Sequence, residues 1–113
     1  MDSTLAIAAL AALAQPTRLD VFRLLVRHEP EGLPAGELAR RLAVPPNTLS
    51  AHLGVLSRAG IVTGERRSRS IIYRADIAAL RTLTTFLADE CCGGRPDLCA
   101  PAAPNACCPP ETC

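Results

Sequence analysis

Tryptophan and lysine are missing from this 113-residue chain, and it holds only one tyrosine and two phenylalanines. With almost half the residues apolar and so few rings, the core must be aliphatic: leucine, isoleucine, valine and much alanine, a mixture that also favours helix. The length predicts one domain with a real but small core. No cysteine precedes Cys91, so no disulfide staples the body. Histidine is confined to His28 and His52. No Cys–His pair, Ser–His–acid set or glycine-rich phosphate loop emerges, so the expected function is not enzymatic. The longest apolar run, "STLAIAALAALA", is too short to span a bilayer. It follows Asp2 rather than a basic segment, unlike a signal peptide. The expectation is a cytoplasmic protein without a membrane partner, where a reducing environment disfavours structural disulfides.

Charge is close to balanced overall but unevenly spread. From Arg40 to Arg74 there are seven arginines against one acid, Glu65, while the rest of the chain holds five arginines and ten acids. A basic middle in a neutral protein points to a polyanion-facing surface.

Periodicity sets out the elements. Ser3–Ala14 is helical by propensity and apolar on nearly every face, which calls for burial on several sides and hence for a second subunit. Pro16 opens the next helix, "PTRLDVFRLLVRH", with Leu19, Phe22, Leu25 and Val26 as its stripe. Its terminal His28 complements the helix dipole. After the break "EPEGLP", Pro34 opens a short helix with Ala35, Leu38 and Leu42 inward. A further helix, Asn47 to Ala59, carries Leu49, Leu53 and Leu56 on its core side, and Gly60 stops it. Its other side is small or polar: Asn47, Ser50, Ala51, Gly54 and Arg58. Two short helices with such an outer face make a helix-turn-helix whose second member approaches base edges in a major groove. Asn47, Thr48, Ser50 and His52 are the candidate DNA contacts, with a packed, hydrogen-bonded role for His52 equally open.

Ile61 and Val62 begin one strand, and Ile71, Ile72 and Tyr73 belong to another. Between them, "ERRSRS" reads as a hairpin tip presenting Arg66, Arg67 and Arg69 to phosphates or a minor groove. Ser68 stands where glycine would turn more tightly. Asp76 caps a last helix running to Cys92, with Ile77, Leu80, Leu83 and Leu87 on one side and Cys91 continuing that stripe. The expected class is therefore mainly α with a small β-hairpin, a winged helix-turn-helix over residues 1–92. The Cys/Pro-rich tail, 93–113, carries no helical or strand period beyond about residue 100 and is expected to be disordered there.

The order of elements resembles the ArsR/SmtB family of winged-helix repressors. "ALAQPTRLDVFRLL" is similar to the family's opening signature, and "LAVPPNTLSAHLGVLSRAGIV" to its helix-turn-helix. The resemblance covers roughly residues 4–92. It implies a homodimer built from the first and last helices, seated on double-stranded operator DNA of two-fold symmetry. Two of the family's sensing sites do not carry over. Its arsenic site before the recognition helix would fall on "LPAGELARRL", which has no thiol. Its zinc site on the last helix would need a histidine at Ala78, and no histidine follows His52.

What remains is Cys91, Cys92 and Cys99, which resembles variant arsenic repressors with a cysteine trio at the end of the last helix. As(III) and Sb(III) are thiophilic and favour three sulfurs in a pyramid. Soft thiolates select soft ions, and three ligands suit them better than tetrahedral zinc. Neighbouring helical residues do not face each other, so Cys91 and Cys92 share an ion only where the helix unwinds, which Gly93-Gly94 permits. Asp89, Glu90 and the helix C-terminus disfavour thiolates, with Arg95 a partial offset, so binding should release protons. Cys107, Cys108 and Cys113 echo the pattern as CC-x4-C and read as auxiliary or idle. A thiol-based redox sensor, or a sensor of another soft metal, is the competing reading.

Overall fold

The computed structural model describes residues 1–91, without the Cys91 side chain. Along the chain lie α1 (Ser3–Leu13), α2 (Pro16–Arg27), β1 (Leu33–Pro34), α3 (Ala35–Leu42), α4 (Pro46–Arg58), β2 (Val62–Arg67), β3 (Ser70–Ala75) and α5 (Ile77–Phe86), followed by a π-helical turn, Leu87–Cys91. This is the winged helix-turn-helix order. The residue types at the helix starts account for the breaks. The Asp2 carboxylate accepts from the Leu5 amide at 2.8 Å, and Gln15 Oε1 accepts from the Arg18 amide at 2.8 Å. Asp76 accepts from the Ala79 amide at 3.0 Å; each bond satisfies an amide that the helix itself leaves free. Pro46 occupies the first turn of α4, where its missing N–H costs nothing. No single helix among the described residues is long and apolar enough to cross a membrane.

The core is aliphatic, as the composition requires. Val21, Leu25, Leu38, Leu49, Leu53, Leu56 and Ile61 are fully buried where α2, α3 and α4 meet the root of the hairpin. Sequence and structure part company on α2. Val21 joins Phe22 and Leu25 inside, whereas Leu19 and Val26 are 42% and 38% exposed. The buried face is centred one position away from the predicted stripe, and the outlying members of that stripe are left on the surface.

Three further differences concern the wing and the last helix. The sheet has three strands in the order β1-β3-β2, all antiparallel, rather than two. β1 is a two-residue edge in which Leu33 pairs with Tyr73 and Pro34 with Ile72. Gly32 leads into it with φ +75, and a Cβ there would overlap the Tyr73 carbonyl, so only glycine fits both the turn and the approach. The wing strands also run farther than expected. Arg67 pairs with Ser70, so only Ser68 and Arg69 make the turn, and Glu65–Arg67 are strand. Both faces of this outer ribbon are exposed, so no apolar alternation marks it as strand. Finally, α5 ends at Phe86, and a π-helical turn replaces the α-helix expected to reach Cys92.

Candidate nucleic-acid interface and thiol cluster

α4 presents the face anticipated for it. Leu49, Leu53 and Leu56 are buried, while Asn47, Thr48, Ser50 and Ala51 are exposed on its opposite side. Gly54 has a purpose on that helix: the Arg58 guanidinium lies back over it, with Nη1 3.2 Å from where a Cβ would stand. Beside the helix, the wing presents Arg66, Arg67 and Arg69, all exposed. A cleft of about 350 Å3 separates α4 from the wing and the start of α3, lined by Gly36, Ser50, Arg69, Ile71 and Tyr73 among others. Tyr73, absent from the predicted set, packs its ring over Gly64, where a Cβ would stand 3.1 Å from Cε1.

The positive charge of this region is smaller than the arginine count implies. Arg40 and Arg41 both bond Glu37, Arg41 Nε at 2.8 Å. Those bonds, Arg41's first and then Arg40's, hold the Glu37 carboxyl below the usual carboxylate range. Arg74 makes a two-pronged pair with Glu29, Nε to Oε1 at 3.1 Å and Nη2 to Oε2 at 2.8 Å, which raises the guanidinium above its ordinary value. Arg67 makes a looser, exposed contact with Glu65 at 3.4 Å. Arg58, Arg66 and Arg69 have no carboxylate within ion-pair distance among the described residues. Glu29 and Glu37 fall outside the Arg40–Arg74 stretch in sequence but neutralise part of it in space. Glu37 stands three and four residues before Arg40 and Arg41 on one helix, a spacing readable in the sequence, whereas Glu29, 45 positions from Arg74, has no local signal.

Both histidines are engaged. His28 ends α2, and its Nε2 lies 3.0 Å from Arg41 Nη1. A guanidinium only donates, so His28 accepts a bond from a cation there. His52 is half-buried, with Nδ1 3.4 Å from Arg18 Nη1. That contact supplies the hydrogen bond expected of the packed role.

Cys91 closes the π-helical turn, directly after the acids Asp89 and Glu90. Cys92, Cys99, Cys107, Cys108 and Cys113 lie outside the described residues, so the predicted trio has no geometry to report. Among the described residues, no three His, Cys, Asp or Glu side chains gather closely enough to hold a metal ion.

A helix pair with a small polar outer face, flanked by a basic hairpin, defines a winged helix-turn-helix protein. Residues 13–65 match the Helix-turn-helix domain family. The Biofilm growth-associated repressor of Agrobacterium fabrum is 39% identical over 83 residues, 73% of this chain and 68% of that protein. The HTH-type transcriptional repressor SmtB of Mycobacterium tuberculosis is 42% identical over 65 residues, which span 58% of this chain but only 46% of that protein. Among solved structures, an ArsR-like transcriptional regulator from Rhodococcus sp. RHA1 superposes with a TM-score of 0.71 at 31% identity, covering 83% of this chain and 84% of that one. The homodimeric winged helix-turn-helix DNA-binding domain of a Mycobacterium bovis protein gives 0.62 at 26% identity, covering 81% and 85%. The chain belongs to the ArsR/SmtB family of transcriptional regulators.

Proposed function

We propose that this protein is a homodimeric, cytoplasmic repressor that binds the operator of an arsenic-resistance operon and is released when As(III) or Sb(III) binds Cys91, Cys92 and Cys99. The observation that carries the reading is the composition of the exposed faces. α4 offers Asn47, Thr48 and Ser50 to solvent beside Arg66, Arg67 and Arg69, a set suited to base edges and phosphates. α1 offers Leu5, Ile7 and Leu10, which are 55%, 65% and 42% exposed, a set suited to a second copy. A shallow apolar hollow continues from Ile7 and Leu10 to Phe86 and Leu87, so one face brings together both helices expected to pair. The M. bovis domain is a homodimer of the same architecture. Two α4 helices would then sit about 34–36 Å apart on one face of the duplex.

The body, residues 1–92, would bind DNA and dimerise; the tail, 93–113, would supply Cys99 to the metalloid. Cys107, Cys108 and Cys113 would be auxiliary. Three thiolates around one semimetal link the end of α5 to the tail, and that link shifts the paired helices. A coupling of ordinary size, about 1–3 kcal/mol, lowers operator affinity about 5- to 150-fold.

The test uses the full chain in reduced buffer on a duplex selected from randomised DNA. Arsenite or antimonite should dissociate the complex, and zinc or peroxide should not. Cys91→Ser, Cys92→Ser and Cys99→Ser should each keep DNA affinity and lose the response. Release by peroxide alone would establish the redox reading instead, and loss of DNA binding in the serine variants would make the thiols structural.

A further inference from the structure

Arg18 makes a connection that neither the interface nor the thiol cluster uses. It stands in the first turn of α2, but its guanidinium reaches both α1 and α4. Nε donates to the Ala12 carbonyl at 2.6 Å and Nη2 to the Ala11 carbonyl at 3.5 Å. Nη1 lies 3.4 Å from His52 Nδ1. One side chain thus closes the C-terminal end of α1, adding to the Ala14 amide on the Ala11 carbonyl and bonding the Ala12 carbonyl one position on, and holds an imidazole of α4. A guanidinium cannot accept, so His52 Nδ1 is the acceptor in this contact.

The packing around this contact gives it weight. α1 buries only Ala6, Ala9 and Ala12. A crevice of about 300 Å3 between α1 and α4 is lined by Ala8, Ala11, Ala12, Val55 and Ala59, with Arg18 and Arg58 at its sides. Methyl groups against a crevice interlock weakly and leave a helix free to pivot, because directional restraint comes from large side chains seated between ridges. The bonds through Arg18 supply the direction that the alanines do not.

We infer that Arg18 is a positioning residue, a brace that fixes the recognition helix against the pairing helix and so sets the distance between the two half-sites a dimer can read. The inference rests on the reading of α1 as the pairing helix and α4 as the reading helix. Each subunit's error in the angle between them would enter the separation of the two α4 helices. Binding of a single half-site would not register it.

The experiment compares the full chain and its variants on the selected palindromic duplex, on that duplex with base pairs inserted between half-sites, and on a single half-site. Arg18→Gln and His52→Leu should each lose about fivefold on the palindrome, the worth of one hydrogen bond. Both should discriminate less against the altered spacing and stay within about twofold on the half-site. His52→Asn, whose Oδ1 stands where Nδ1 was, should recover the palindrome. The double variant Arg18→Gln/His52→Leu should be no weaker than either single one, because both remove the same link. An equal loss on half-site and palindrome would make His52 a direct DNA contact and overturn the brace; so would additive losses. Should Arg18→Gln unfold through loss of its α1 bonds, the His52→Leu and His52→Asn pair carries the test, since His52 takes no part in that cap. A readout without DNA separates failure of the brace from failure of the DNA reading. In the free protein, the His52 imidazole 15N spectrum should show one tautomer, protonated on Nε2, and a mixture in Arg18→Gln. An unchanged spectrum sinks the brace, whatever the chain binds.

Discussion

α1 and α4 are helices of similar length, 11 and 13 residues, with opposite layouts. α1 turns alanines inward and leaves Leu5, Ile7 and Leu10 in solvent. α4 turns leucines inward and leaves Asn47, Thr48, Ser50 and Ala51 in solvent. Burying large side chains and exposing small polar ones is what one subunit's own stability demands, since each fully buried leucine contributes about 1.5–3 kcal/mol. α4 obeys that rule and α1 reverses it. The reversal is explained by a surface yet to be covered, whereas the outer face of α4 is already at ease in water and suits a hydrated, polar partner. The face a helix keeps outside therefore tells more about its partner than the face it buries.

The strongest way to break this contrast is to make α1 as polar outside as α4. Ile7→Glu should leave the monomer folded, because Ile7 is 65% exposed and surface changes usually stay within about 0.5 kcal/mol. It should abolish dimerisation in analytical ultracentrifugation and weaken palindrome binding by about 100-fold or more, the avidity a second half-site provides. A dimer that survives the added charge would place the pairing surface elsewhere. Next in size is the triple change of Arg66, Arg67 and Arg69 to Ala. Each lost phosphate contact removes about 0.9 from the slope of log affinity against log salt, so the slope should fall by about 2–3 per subunit. A slope equal to that of the parent would remove the wing from the interface.

The smallest effect comes from Glu37. Glu37→Gln unties Arg40 and Arg41 and should strengthen binding to random duplex by about two- to fivefold at low salt, measured by fluorescence anisotropy. Acid should act in the same direction on the same pair. The Glu37 carboxyl is held low by Arg41 and Arg40, so its ion pairs stand fully above its unfolded value and are lost as pH falls through the lower folded one. The parent should therefore approach the Gln variant only below the ordinary carboxylate range. Convergence near neutrality would show that Glu37 does not hold these arginines.

Much of this contrast was legible from residue order alone. The leucines of α4 repeat at helical spacing with small residues opposite, and Pro46 and Gly60 bracket them, so local chemistry and tertiary burial agree. β1 was not legible: Leu33-Pro34 is too short to show a period, and it becomes a strand only because β3 has a free edge beside it. The π-helical turn at Leu87–Cys91 carries no compositional mark, since the same residues would propagate an α-helix. Nor could the order of residues disclose that Arg18 meets His52 across 34 positions, or that Glu29 reaches Arg74 across 45. These are long-range polar contacts made by flexible side chains, and only the assembled chain brings them together.

Ser68 turns the wing with a φ of +55, a conformation that few residues other than glycine accept. Because Arg67 already pairs with Ser70, the hairpin reverses direction with no spare chain. Arginines on a long loop would have to surrender their freedom at the moment of contact, whereas these are mounted on a rib that stiffened when the protein folded. The wing backbone therefore meets its target already ordered, and the ordering cost that remains lies in the exposed arginine side chains.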